Sequence, residues 1–240
     1  MNVTVPTGNF GNILAAYYAR EMGLPIKNLL IASNDNHVLT DFFKTGTYDR
    51  NRPFILTNSP SMDILVSSNL ERLLFHLADE DTAAIDTYMQ DLSKKGVFEI
   101  TAKMMEKAAI FHADFADEAN VSEQIRSVQE KTGYVIDPHT AVASYVTEKY
   151  QTETNDTTPT VVASTASPYK FPEAVLEAVD PSLKHPNLAD LLNNLKSVTK
   201  VPFPPAIEEA LYDPIRHDTV IPLSKMREIV LKKLNISVND

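Results

Sequence analysis

Val3-Thr4-Val5-Pro6-Thr7-Gly8-Asn9-Phe10-Gly11-Asn12 runs directly into Ile13-Leu14-Ala15-Ala16-Tyr17-Tyr18-Ala19. A short β-branched run meets a turn with two glycines, and an apolar helical pattern follows. Strand, glycine turn and helix in that order form the repeating unit of a parallel α/β sheet. A helix N-terminus offers unpaired N–H groups and the positive end of the peptide dipoles. Glycine lets a ligand come close to the main chain. The segment is therefore a candidate anion site, and phosphate is the commonest occupant of such sites. It is not a P-loop, because no Gly-Lys-Ser/Thr follows Gly11, and it is not G-x-G-x-x-G. Spacing alone leaves two readings open: a phosphate cradle, or a strand-to-helix turn with two structural glycines. The strand stands at the head of the sequence, where a parallel strand has no earlier neighbour, so the expectation is an incomplete domain.

Outward from this stretch the alternation continues. Asn2–Val5 reads as a strand and Ile13–Met22 as a helix stopped by Gly23 and Pro25. Leu29–Ala32 is a short buried strand, Thr40–Lys44 a helical turn closed by Gly46. Met62–Ala78 has long helical stretches, with Leu70, Leu73, Leu74 and Leu77 at i, i+3, i+4, i+7. Asp81–Lys94 continues helically to Gly96, and Phe98–Ile100 is a strand or a helix start. Ile110–Ala116 is a strand, Val121–Lys131 a helix ended by Gly133, Thr140–Tyr150 a helix, Gln151–Pro159 a polar loop, Thr160–Ala163 a strand and Glu173–Ala178 a helix. Beyond Asp180-Pro181 the character changes, and prolines gather in 202–222. The fold expected is α/β with a parallel sheet over residues 1–180, and a helical or irregular C-terminal extension over 181–240 packed on it.

The bulk numbers narrow the function. The chain has 240 residues, 43% of them hydrophobic and 22% charged, as in an ordinary globular protein. Its 22 basic and 32 acidic side chains give a net charge of −10, a field that repels phosphate backbones, so nucleic acid is not expected as a partner. No run approaches the roughly 20 apolar residues of a membrane span. No charged-then-apolar leader is seen, and a cytoplasmic location is expected. There is no cysteine, which removes disulfides, thiolate catalysis and Cys-ligated zinc. The six histidines, His37, His76, His112, His139, His185 and His217, are scattered, and no two share a helix face at metal-ligand spacing, so no metal is expected.

Val5-Pro6-Thr7-Gly8-Asn9-Phe10-Gly11-Asn12 closely resembles the cofactor-phosphate loop of threonine synthases, pyridoxal-phosphate enzymes of the tryptophan-synthase-β-like fold. Further blocks are similar to the same family in the same order: Asn34–Asn36, Leu39–Tyr48, Ser61–Arg72, Asp137–Val142 and Ser164–Phe171. The resemblance covers residues 2 to about 178 and points to the C-terminal portion of the family. It implies pyridoxal 5'-phosphate as cofactor and O-phosphohomoserine as substrate, converted with water to threonine and phosphate. It also implies that Gly8, Asn9, Phe10, Gly11 and Asn12 hold the cofactor phosphate, largely through main-chain N–H groups. Thr165 matches the hydroxyl residue that faces the pyridine nitrogen. Its competing reading is a strand-end threonine bonded to nearby backbone.

The departures matter as much. The family's Schiff-base lysine lies in an N-terminal Phe-Lys-Asp motif, which these residues lack, so no catalytic residue is assigned and the chain alone is expected to be inactive. Phe43-Lys44 is a look-alike followed by Thr45. Lys44 just before Gly46 reads as a cation favouring a helix end. Asp137-Pro138 reads as a helix cap and first-turn proline, with His139 near the site as a lesser reading. Asn69–Arg72 reads as a helix face with ordinary polar contacts. The expected partners are the missing N-terminal half or a second copy, covering Val3 and Val5. Two rival functions remain: a threonine-synthase-like phospholyase acting on another phosphorylated amino acid, and a non-catalytic half that binds a phosphate metabolite or a partner chain.

Overall fold

A computed structural model of the chain describes residues 1–183 and 186–236; His185 and the last residues of the expected extension lie outside them. The first elements alternate as expected, β1 (Asn2–Pro6), α1 (Gly11–Glu21), β2 (Leu29–Ser33) and α2 (Val38–Thr45), and are followed by β3 (Thr47–Asp49). Then come α3 (Leu70–Leu77), α4 (Thr82–Lys94), β4 (Val97–Glu99), α5 (Ala102–Lys107), β5 (Phe111–Phe115) and α6 (Glu118–Thr132). The body closes with α7 (Pro138–Thr154), β6 (Thr160–Val162), α8 (Pro172–Val179) and α9 (Leu188–Thr199). The main sheet has the order β5-β2-β1-β6, and each neighbouring pair is parallel.

Helices cover both faces of this sheet. Successive strand residues point to opposite faces. Val5, Leu29 and Ile31 join Ile13 and Leu14 of α1 and Phe42 and Phe43 of α2 in one apolar cluster. Thr4 points the other way, where its hydroxyl accepts a 2.7 Å hydrogen bond from Thr147 of α7. The central strands β1 and β2 are therefore buried from both sides, which explains why β2 reads as a continuous apolar run rather than an alternating one.

Several expectations are corrected. β1 lies inside the sheet, so Val5 is buried and Val3 half-buried in the chain's own core. The open edges are β5 and β6, where Val161 is 52% exposed. Residues 62–78 are not one helix: a 3-10 turn, Pro60–Met62, is followed by irregular chain, and α3 begins at Leu70. The cause is Asp63, whose carboxylate accepts from Asn34, Asn36 and both the N–H and hydroxyl of Thr57, which ties the segment to the chain after β2. Helix α7 runs to Thr154 and ends at Asn155 in the left-handed region, so the loop spans only 155–159. The three-residue β3 was not foreseen; it pairs antiparallel with β4, and Tyr48 stacks on Phe98 at 5.3 Å.

The chain divides into two compact units, 1–202 and 203–240. Helix α9 belongs to the first, whereas the sequence placed the change of character after Asp180. The second unit carries α10 (Pro205–Tyr212) and α11 (Met226–Lys233).

Phe10 links fold to loop. It is the N-cap of α1 with φ 62°, a left-handed conformation that costs a non-glycine residue roughly 1–2 kcal/mol. Its ring is 1% exposed and lies 5.8 Å from the ring of Phe43 and 6.1 Å from that of Phe111. Core burial thus offsets the backbone strain and fixes where the loop turns. Phe10→Ala is expected to lower stability by about 3–5 kcal/mol in chemical denaturation, the usual cost of truncating a core phenylalanine. A loss below about 1 kcal/mol would show that the ring does not anchor the turn.

Candidate functional site

The last ladder bond of β1 runs from the Thr7 N–H to the Ala32 carbonyl, 2.8 Å. The chain then leaves the sheet at the carboxyl ends of the parallel strands, the side on which α/β sheets bind ligands. From here the N–H groups of Gly8, Asn9, Phe10, Gly11, Asn12 and Ile13 donate to no acceptor among the described residues; helical bonding starts with Leu14 N–H to the Phe10 carbonyl at 3.2 Å. All six residues line one cleft of about 290 Å³, together with Ser61, Met62, His139, Thr165, Ala166 and Lys170. That volume sits near the low end of small-molecule sites, roughly 300–1,000 Å³. No carboxylate of the described residues borders it. Helix α1 has no side-chain cap and no acid in its first turn, in contrast to α4, α6, α7 and α9, whose first N–H groups are capped by Asp81, Asp117, Asp137 and Asn187. The N-terminus of α1 is left open to an external anion.

Three braces hold the loop. Ser67 Oγ donates to the Gly8 carbonyl at 2.9 Å, and the Ser67 N–H is itself bound at 2.9 Å to the hydroxyl of Tyr48. Burial pushes the Tyr48 phenol up to about 12, against the lowering effect of the Ser67 bond, so it stays neutral. Asn69 grips the Asn9 carbonyl twice, through its Nδ2 at 2.7 Å and its N–H at 3.3 Å. The third brace is steric. A Cβ built on Gly8 would lie 2.8 Å from the Ser61 carbonyl oxygen and 3.1 Å from the Met62 Cα, so only glycine lets the two backbones meet.

The Ser61 side of that contact is fixed from α7. His139 Nε2 accepts the Ser61 N–H at 3.2 Å, while Nδ1 lies 3.0 Å from Asp137 Oδ1. The network assigns the proton to Nδ1 and leaves Nε2 as acceptor. Asp137 also caps α7 by accepting the His139 N–H at 2.9 Å, and its other oxygen takes the Thr140 hydroxyl. Burial works against the Asp137 charge, but the bonds from His139 and Thr140 outweigh it and hold the carboxyl below its ordinary range. Capping and site support, read as alternatives in the sequence, coexist here.

The structure brings the sequence-derived candidates together unevenly. Gly8, Asn9, Phe10, Gly11, Asn12 and Thr165 all border the one cleft. The Phe10 side chain points into the core, leaving only its main chain for the site. Thr165 is exposed and its hydroxyl has no hydrogen bond among the described residues, so it does not tie down the strand end. Lys44 lies elsewhere, 3.4 Å from Asp114 Oδ1 at the end of α2, with Gly46 as the left-handed C-cap. Asn69 clamps the loop rather than presenting an ordinary helix face. Sequence reasoning gave no individual role to Tyr48, Ser61, Ser67 or Lys170, although all four lie in the family-like blocks; the first three act on main-chain groups brought together only by the fold.

With this geometry in view, comparison with known proteins is informative. The family described as threonine synthase, C-terminal, matches residues 140–210. The human protein named threonine synthase-like 1 is 45% identical over 181 residues, which cover 75% of this chain and 24% of that protein. Threonine synthase of Saccharomyces cerevisiae is 40% identical over 190 residues, covering 73% of this chain and 37% of the relative. The crystal structure of threonine synthase from Brucella melitensis with bound pyridoxal phosphate superposes with a TM-score of 0.72 at 40% identity, over 83% of this chain and 45% of that one. The chain is similar to the C-terminal portion of threonine synthases, and it spans between a quarter and a half of the length of these proteins.

Gly8→Ala is expected to cost about 1–3 kcal/mol, because a methyl group is forced between two backbones that cannot yield cheaply. Unchanged thermal stability would show that the contact is slack. Asp137→Asn should destabilise the protein at neutral pH by about 1–3 kcal/mol, the cost of a disrupted buried network. The carboxyl's depressed value sets the sign: its stabilisation is complete above the ordinary aspartate value of about 3.9 and is lost as pH falls through the lower folded value. The gap between wild type and Asp137→Asn in melting temperature should therefore close on acidification, and a gap constant down to strongly acid pH would contradict this.

Proposed function

We propose that these residues form the C-terminal portion of a pyridoxal-phosphate-dependent threonine synthase, converting O-phosphohomoserine and water to threonine and phosphate. The observation that carries this is the run of N–H groups from Gly8 to Ile13, acceptor-free and gathered in one cleft. The donor set fits the group. A phosphate monoester brings only acceptors and negative charge, which suits main-chain donors at an uncapped helix N-terminus in a cleft without carboxylates.

In this reading Gly8, Asn9, Phe10, Gly11 and Asn12 hold the phosphate of pyridoxal phosphate, and the Thr165 hydroxyl faces the ring nitrogen. The bound cofactor would supply an electron sink for proton removal beside the substrate nitrogen. The loop fixes one end of the ring and Thr165 the other, and the buried His139–Ser61 bond keeps the floor of the cleft from yielding. A hydroxyl can donate to an unprotonated nitrogen, but it cannot hold that nitrogen protonated as a facing carboxylate does. Thr165 thereby favours a milder sink, in keeping with elimination and addition. No imine-forming lysine is assigned: Lys44 is paired with Asp114 outside the cleft. O-phosphohomoserine and the remaining half of the catalytic domain belong to the same proposal. The higher identity to the threonine synthase-like protein favours a second reading, a phospholyase for another phosphorylated amino acid.

Calorimetry with 4'-deoxypyridoxine 5'-phosphate tests the site, because this analogue lacks the aldehyde that reacts with surface lysines. One molecule per chain is expected to bind, and unphosphorylated deoxypyridoxine should bind at least about tenfold more weakly, the ~1.4 kcal/mol that a few charge-assisted bonds readily supply. Thr165→Ser should retain the affinity and Thr165→Val lose part of it. The 240 residues alone should release no phosphate from O-phosphohomoserine. Equal binding with and without the phosphate, or turnover by these residues alone, would overturn the proposal; within the complete enzyme, phosphate release without threonine would select the phospholyase.

A further inference from the structure

Among the described residues Lys170 is the one lysine bordering the cleft, on a rim otherwise made of neutral groups. Its backbone is held rigidly. Pro168–Lys170 form a 3-10 turn in which the Ser167 hydroxyl accepts the Tyr169 N–H at 3.3 Å and the Ser167 carbonyl accepts the Lys170 N–H at 2.9 Å. Tyr169 is 3% exposed, and its hydroxyl reaches Thr199 at 3.2 Å and the Val201 carbonyl. With Tyr169 locked inward, Lys170 is exposed; it borders the cleft on one side and a second pocket with Glu173 on the other.

The Lys170 ammonium sits 5.5 Å from the centroid of the Phe171 ring, and that ring packs 4.6 Å from the His139 ring, itself part of the cleft wall. The ring steadies the cation without neutralising it. Among the described residues Lys170 makes no ion pair, although acidic side chains outnumber basic ones by 32 to 22. Lys44, Lys103, Lys107 and Lys149, by contrast, are each engaged with a carboxylate. The main-chain cradle offers dipoles but no full charge, and a phosphate monoester carries up to two negative charges near neutral pH.

Building on the proposed function, we propose that Lys170 is the cationic arm of this anion site, completing the Gly8–Ile13 cradle with charge and selecting a phosphate monoester over its unphosphorylated analogue. The ester is either the cofactor's phosphate or that of the phosphorylated amino acid, and the two sources are separable by experiment. Lys170 is a binding residue here and takes no covalent part.

The test compares wild type, Lys170→Gln and Lys170→Arg by calorimetry, with 4'-deoxypyridoxine 5'-phosphate, O-phosphohomoserine and unphosphorylated deoxypyridoxine as probes. Lys170→Gln is expected to weaken binding of the contacted ester by about tenfold, as for loss of one charge-assisted contact, while Lys170→Arg stays within about threefold and deoxypyridoxine is unaffected. Loss toward the deoxypyridoxine ester assigns Lys170 to the cofactor phosphate. Loss toward O-phosphohomoserine alone assigns it to the substrate phosphate. Binding by Lys170→Gln within about twofold of wild type for every ester overturns the inference, as does an equal loss in Lys170→Arg, which would mark a structural role. If wild type itself binds neither ester, the cradle reading has failed and this inference with it. If Gly8→Ala loses binding and Lys170→Gln does not, the cradle stands and Lys170 alone is removed.

Discussion

Six consecutive main-chain N–H groups, Gly8 to Ile13, that no atom of the described chain accepts are the constraint from which the rest of the structure follows. Asn9, Gly11 and Asn12 are exposed to solvent, whereas Gly8, Phe10 and Ile13 are buried, and a buried donor without a partner costs roughly 1–3 kcal/mol, so the loop keeps this shape only where something restrains it. The restraints are visible. Phe10 accepts a left-handed backbone because its ring is buried against Phe43 and Phe111. Gly8 fits against Ser61 and Met62 because it has no Cβ. Ser67 and Asn69 occupy the carbonyls of Gly8 and Asn9, which leaves the N–H groups turned to the cleft.

The electrostatics point the same way. The whole chain carries a charge of −10, yet among the described residues no carboxylate borders the cleft, and α1 begins without an acid or a side-chain cap. The nearby buried charge, Asp137, is spent internally on His139 and Thr140, so it caps α7 and orients His139 without facing the cleft with an open charge. An anion arriving there meets donors and the Lys170 ammonium rather than repulsion. In the proposed function, affinity for phosphate is a local property of one strand end, built against the sign of the molecule as a whole.

Much of this was legible in the sequence, for physical reasons. The glycine turn between an apolar strand and an apolar helix is encoded within a dozen residues, so β1, the loop and α1 could be read together, as could the parallel α/β sheet. Asp137-Pro138 announced a helix start because capping is local chemistry. What stayed hidden depends on residues far apart in sequence. Tyr48 supports Ser67 across 19 residues, and His139 reaches Ser61 across 78. Asp63 breaks the helical pattern of 62–78 by binding Asn34, Asn36 and Thr57, which no periodicity reveals. Val3 and Val5 looked like a surface awaiting a partner because β1 opens the chain, whereas β2 and β6 flank it from later in the sequence. Lys170 sat within a recognised block, but only the turn around Tyr169 shows which way it faces.

The central claim is that the Gly8–Ile13 amides are the anion-binding donors. It is tested most directly by following backbone amide resonances while inorganic phosphate is added to the isotope-labelled chain. The account predicts saturable shifts concentrated at Gly8, Asn9, Phe10, Gly11, Asn12 and Ile13, and protection of these amides from hydrogen exchange in the bound state. Shifts scattered over surface lysines, with these six amides unmoved at saturating phosphate, would contradict it.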